Sequence, residues 1–74
     1  MGDAALLLRI RVIVGSTRAA ARSLRDDDRQ LGGVIERGQR LLDAMAADVE
    51  RDGSDDVRER FAQAKQEIAE LSDA

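Results

Sequence analysis

The chain has no cysteine, histidine, proline, tryptophan or tyrosine, and Phe61 is its single aromatic residue. Without cysteine no disulfide can brace a fold of 74 residues, a length at which a hydrophobic core alone leaves a domain marginal. Without histidine or cysteine there is no thiolate or imidazole for a zinc site, no thiol nucleophile and no imidazole base. The hydroxyls are Ser16, Thr17, Ser23, Ser54 and Ser72, none beside an obvious base. The carboxylates fall on polar faces or in turns, where nothing desolvates one of a pair for acid–base work. The chain is therefore expected to be no enzyme and to carry no cofactor and no metal. The lack of aromatics for base stacking, with an acidic pI of 4.8, makes nucleic acid an unlikely partner.

What remains is the vocabulary of helices. Charged residues make up 36% of the chain, alanine occurs twelve times, and arginine outnumbers lysine eleven to one. That codon-level bias suits a bacterial or phage source and says nothing about function. The net charge of −3 divides unevenly: residues 1–29 carry +2 and residues 30–74 carry −5. Two halves of opposite sign can attract each other within a fold or between subunits.

The most regular stretch runs from Leu31 to Val49. Its apolar stripe is Leu31, Val34, Ile35, Gly38, Leu41, Leu42, Met45 and Val49, in steps that follow one face of a helix. Gly38 on that stripe either admits another backbone closely or is merely tolerated. Gly32-Gly33 before the stretch and Asp52-Gly53-Ser54 after it read as breaks. Beyond them Val57, Phe61, Ala64, Ile68 and Leu71 keep a 4-3-4-3 spacing, a coiled-coil-like seam. Ser54 is the natural N-cap of that helix, with Asp55 and Asp56 at the positive end of its dipole and Asp56 paired to Arg60 one turn on.

The N-terminal third is ambiguous. Leu6, Ile10, Ile13, Thr17, Ala20 and Leu24 follow helical spacing, with Asp3 as the expected N-cap. Arg11, Arg18, Arg22, Arg25 and Arg29 fall within about 60° of one another on the opposite side. Two stripes on opposite faces favour a helix. Yet Leu8-Arg9-Ile10-Arg11-Val12-Ile13-Val14-Gly15 is rich in β-branched residues and also suits a strand. As a helix, its first turns are apolar nearly all round, which points to a subunit contact.

Three short likenesses bear on function. Val12-Ile13-Val14-Gly15-Ser16-Thr17-Arg18 resembles the first strand and phosphate loop of flavodoxin-like FMN reductases, which implies a flavin phosphate cradle. The likeness covers seven residues, and the chain has no further strand–helix units to build that sheet. Asp48, Glu50, Asp52, Gly53, Asp56 and Glu59 resemble positions 1, 3, 5, 6, 9 and 12 of an EF-hand calcium loop. Glu50 and Asp55 depart from that pattern, and an acidic turn with a serine cap accounts for the same residues. If the N-terminal segment is a strand, the order of elements resembles a ribbon-helix-helix antitoxin. Arg9 and Arg11 would then project from one face of the ribbon.

The reading is an all-α fold, a small three-helix bundle or helical hairpin that self-associates, with an N-terminal strand followed by helices as the alternative. Residues 1–74 form a single helical domain with helices at about 4–28, 34–51 and 55–72. The expected function is a non-catalytic protein–protein interaction or assembly module whose partner is a second copy, another protein, or both. Its expected interface is Leu6, Leu7, Ile10, Ile13 and Val14. Arg11, Arg18, Arg22, Arg25, Arg29, Asp52, Asp55 and Asp56 supply charge. The alternative is a small acidic regulator that blocks a basic site on a larger partner, as antitoxins and phage-encoded inhibitors do. Met1 to Val14 lacks a basic leader and is interrupted by Arg9 and Arg11, so no export signal or membrane span is expected and the chain reads as cytoplasmic.

Overall fold

The structure is a computed structural model and describes residues 2–73. Three helices pack each against the other two: α1 (Asp3–Ser23), α2 (Asp28–Asp52) and α3 (Asp55–Glu70). A short 3-10 turn, Leu71–Asp73, follows α3 and packs back on α2. The bundle measures 38 × 17 × 16 Å. The N-terminal strand is ruled out: residues 8–15 lie in the middle of α1. Their β-branched side chains lose the argument because a lone strand would leave its backbone groups unpaired, whereas the helix pairs them internally.

The first helix starts one position before expectation. Gly2 is its N-cap and makes no side-chain cap bond, while Asp3 stands in the first turn. The Asp3 carboxylate instead accepts the Ser54 N–H at 3.3 Å, tying the start of α1 to the link between α2 and α3. At its other end α1 stops at Ser23, and Leu24 N–H closes the last turn on the Ala20 and Ala21 carbonyls. Residues 24–27 form the link. Asp27 then caps α2, its carboxylate accepting the Gln30 N–H at 3.1 Å.

That cap corrects the expected break. The chain turns at the three aspartates, and α2 runs straight through Gly32 and Gly33, starting six residues earlier than the expected 34. Each glycine costs about 1 kcal/mol in a helix interior. A satisfied cap and the packing of Leu31 against the core outweigh that. The link between α2 and α3 is two residues, Gly53 and Ser54, with the Ser54 hydroxyl accepting the Val57 N–H at 3.4 Å. The serine cap and the acidic first turn of α3 are as the sequence suggested.

The core is one cluster: Leu6, Ile10 and Val14 from α1, Ile35, Leu42, Met45 and Val49 from α2, and Val57, Ala64 and Ile68 from α3. Ile13, Leu31, Phe61 and Leu71 close its edges. At one level the helices come very near each other. A Cβ added to Gly38 would lie 2.7 Å from Thr17 Oγ1 and 2.8 Å from Thr17 Cγ2, so α1 and α2 meet here only because position 38 has no side chain.

Candidate functional site

α1 carries apolar residues on more sides than a three-helix bundle can cover. Its inward row is Leu6, Ile10, Val14, Thr17 and Ala21, all buried. The next apolar residues on the wheel are left outside. Leu8 and Val12 are each 59% exposed, and Leu41, from the flank of α2, is 43% exposed. These three line one shallow depression of about 380 Å³ with Arg9, Ile13 and Ala44. A second depression of about 310 Å³ continues along the same α1–α2 seam past Ser16, Thr17, Ala20, Val34, Arg37 and Gly38, and shares Leu41 with the first. The result is a mainly apolar face along one side of the molecule, crossed by Arg9, Ser16 and Arg37.

Five residues were expected at an interface, and the structure divides them. Leu6 and Ile10 are fully buried and Val14 nearly so. They are core, and a second copy cannot reach them without unfolding the bundle. Leu7 is 38% exposed but sits on the flank of α1 away from the α2 seam, and Ile13 forms the half-buried wall of the first depression. Leu8 and Val12 lie outside the expected interface set although they belong to the first turns that read as apolar nearly all round, and Leu41 reads as part of the inward stripe of α2. The signal was available: Leu8, Val12, Gly15 and Ala19 keep an uncharged 4-3-4 spacing in a chain that is 36% charged.

The arginine stripe is broken by the turn. Arg11, Arg18 and Arg22 lie on α1, Arg25 falls in the link, and Arg29 belongs to α2. Two arginines of the basic half do reach the acidic half within the same chain. Arg18 meets Glu67 of α3 at 3.5 Å, and Arg9 meets Asp48 of α2 at 3.3 Å. Arg60 also turns to Glu67, at 3.3 Å, rather than to Asp56. These pairs are exposed or half-exposed, and each contributes at most about 1 kcal/mol. The first two lie on opposite flanks of α1, Arg9 towards α2 and Arg18 towards α3.

Around the second link the charge is largely answered locally. Arg51 bridges Asp48 at 2.7 Å and Asp52 at 3.2 Å, and the hydrogen bond and charge of Asp52, with the charge of Asp48, raise its pKa above the ordinary arginine value. Asp55 stands 3.8 Å from Arg58, and Asp56 makes no ion pair among the described residues. The Asp48–Glu59 stretch does not form a calcium loop, because it is helical apart from Gly53 and Ser54. An EF-hand needs about twelve loop residues with their oxygens converging, and here Asp48 and Asp52 point at arginines. Gly15-Ser16-Thr17-Arg18 likewise lies inside α1, where its backbone N–H groups are taken by the helix and cannot cradle a phosphate.

Among the described residues no helix is long and apolar enough to cross a membrane. The fold and the face together define a small helical bundle with one uncovered apolar side. Comparison with known protein families, curated proteins and solved structures finds no match for this chain.

Proposed function

We propose that this chain is a non-catalytic assembly module that pairs with a second copy of itself across the α1–α2 face. The observation that carries the reading is the joint exposure of Leu8, Val12 and Leu41 on one side of the bundle. An exposed large aliphatic residue is common singly, but three sharing one depression are what an interface looks like before it is covered. A standard interface takes about 800 Å² from each partner. That is about a sixth of the 5076 Å² the chain exposes.

A second copy fits in a definite arrangement. Arg9 lines the apolar face, and Asp48 of the same chain answers its charge at 3.3 Å. Because Arg9 meets Asp48 and Thr17 meets Gly38 within one chain, α1 and α2 run antiparallel, with Val12 and Leu41 within about one helical turn of the same height. A two-fold axis parallel to the helices then sets Leu8 and Val12 of one copy against Leu41 of the other.

The test is light scattering over a concentration series. The expected mass rises from 8.1 kDa towards twice that value, and Leu8→Asp with Val12→Asp holds it at the monomer without unfolding the helices. Leu41→Asp on the facing helix is expected to have the same effect. A monomer at every concentration would overturn self-pairing.

A further inference from the structure

A third depression lies towards the end of the bundle and shares no lining residue with the α1–α2 face. It opens where α1 ends, α2 begins and the terminal 3-10 turn folds back, and its volume is about 390 Å³. Each of the three segments contributes one apolar residue to it: Ala21 from α1, Leu31 from α2 and Leu71 from the terminal turn. Arg18, Arg22 and Arg25 complete the lining. Arg18 and Arg22 are one turn apart on α1, and Arg25 follows in the link, so three arginines share the lining of one hollow.

The charges there are unequally committed. Arg18 is held by Glu67 at 3.5 Å. Arg22 and Arg25 make no ion pair among the described residues. The nearest acidic neighbours in sequence are Asp26, Asp27 and Asp28, and the Asp27 carboxylate is engaged by the Gln30 N–H as the cap of α2. The hollow thus presents two uncommitted cations beside an apolar surface.

That pairing of features selects a ligand class. Small-molecule sites are concave and mostly apolar, with a few convergent polar groups, and span about 300–1,000 Å³. A guanidinium offers a planar fork of donors that matches a carboxylate or phosphate in two parallel hydrogen bonds. An inorganic anion would satisfy the arginines and leave Leu31 and Leu71 wet. A neutral apolar molecule would cover the leucines and leave the arginines without a partner. Only an anion with an apolar body meets both.

We propose that this hollow binds small amphiphilic organic anions. The carboxylate or phosphate head sits between Arg22 and Arg25, and the apolar body lies against Ala21, Leu31 and Leu71. The hollow borders the proposed pairing face but shares no lining residue with it, and Arg18 of its rim reaches Glu67 on α3.

The experiment is an amide NMR titration of the full chain with octanoate and octyl phosphate, each kept below its micelle concentration. Inorganic phosphate and octanol supply the head and the tail alone. Saturable shifts centred on Ala21, Leu31 and Leu71 are expected for octanoate and octyl phosphate, with each control at least about tenfold weaker. Arg22→Gln with Arg25→Gln should weaken octanoate at least about tenfold while leaving the helical signal intact, since both side chains are exposed. Shifts centred on Leu8 and Leu41, equal binding of octanol, equal binding of inorganic phosphate, or unchanged affinity in the double variant would each overturn the proposal. The wild-type shift map decides the matter even if the double variant proves unstable.

Discussion

The inner and outer faces of α1 are built from the same kinds of residue and do different work. Leu6, Ile10 and Val14 face inward and are sealed in the core, whereas Leu8 and Val12, two residues away from their inner counterparts, are more than half exposed. Hydrophobicity alone does not tell them apart. What separates them is a rotation of about 160–200° around one helix axis and the presence of two other helices on only one side. An aliphatic side chain stabilises a fold where neighbours surround it. On the far side of the same helix it stays exposed, and Leu8 and Val12 there form the face proposed for pairing.

The widest gap between the faces should appear in a pair of truncations. Ile10→Ala is expected to cost about 2–5 kcal/mol, through lost transfer energy and the cavity left in the core. In so small a domain that is a large share of the total stability. Val12→Ala should stay within about 0.5 kcal/mol in dilute solution and should register instead as weaker pairing. Denaturant unfolding at low concentration measures both, and similar losses from the two variants would erase the distinction between the faces.

Glycine gives a second, smaller version of the same contrast. Gly38→Ala inserts a methyl group against Thr17, a buried, β-branched and therefore stiff side chain on α1. Overpacking of about 1–3 kcal/mol outweighs the helix-propensity gain of about 1 kcal/mol. The net expectation is a loss of up to about 2 kcal/mol, and Thr17→Ala in the same chain should recover part of it. That recovery, read as a double-mutant cycle, would locate the cost at this one contact. Additive losses would place it elsewhere.

The smallest effect has the opposite sign. A Cβ at Gly33 meets nothing within 4 Å, and the residue is exposed in the second turn of α2. Gly33→Ala should stabilise by about 0.5–1 kcal/mol, because alanine loses less backbone entropy on entering a helix. Thermal unfolding tests it, and a fall in the midpoint would mean that the glycines serve a bend the structure does not show.

Much of the fold could be read from residue order because the relevant signals are local. The stripe from Leu31 to Val49 supplies Ile35, Gly38, Leu42, Met45 and Val49 to the interior. The 4-3-4-3 seam of α3 supplies Val57, Ala64 and Ile68. Ser54 caps where a serine before two aspartates should. The first break was harder. Gly32-Gly33 and Asp26-Asp27-Asp28 compete as turn signals seven residues apart or less, and the glycines are the weaker ones. A glycine only lowers helix propensity, whereas Asp27 provides an acceptor for an otherwise orphaned N–H. The candidate sites were less legible still. Arg22 and Arg25 belong to one apparent stripe in the sequence, but only the return of Leu71 to the end of α1 turns them into the rim of a hollow.

By itself, then, the sequence determined that the chain is helical, roughly where the helices lie, and which stripe of α2 and α3 turns inward. Those outcomes follow from side-chain periodicity and caps, whose energetics are settled within a few residues of chain. The tertiary structure decided which of several apolar rows on α1 became core. Leu6, Ile10 and Thr17 were in the expected row, but Val14 and Ala21 are buried while Ile13, Ala20 and Leu24 are only half covered. A helix that is apolar nearly all round has no single inward face of its own. Its orientation is chosen by what it packs against: the gap at Gly38 receives Thr17, and Arg9 and Arg18 lie paired on its two flanks. The row left outside by that choice is the surface proposed here for pairing.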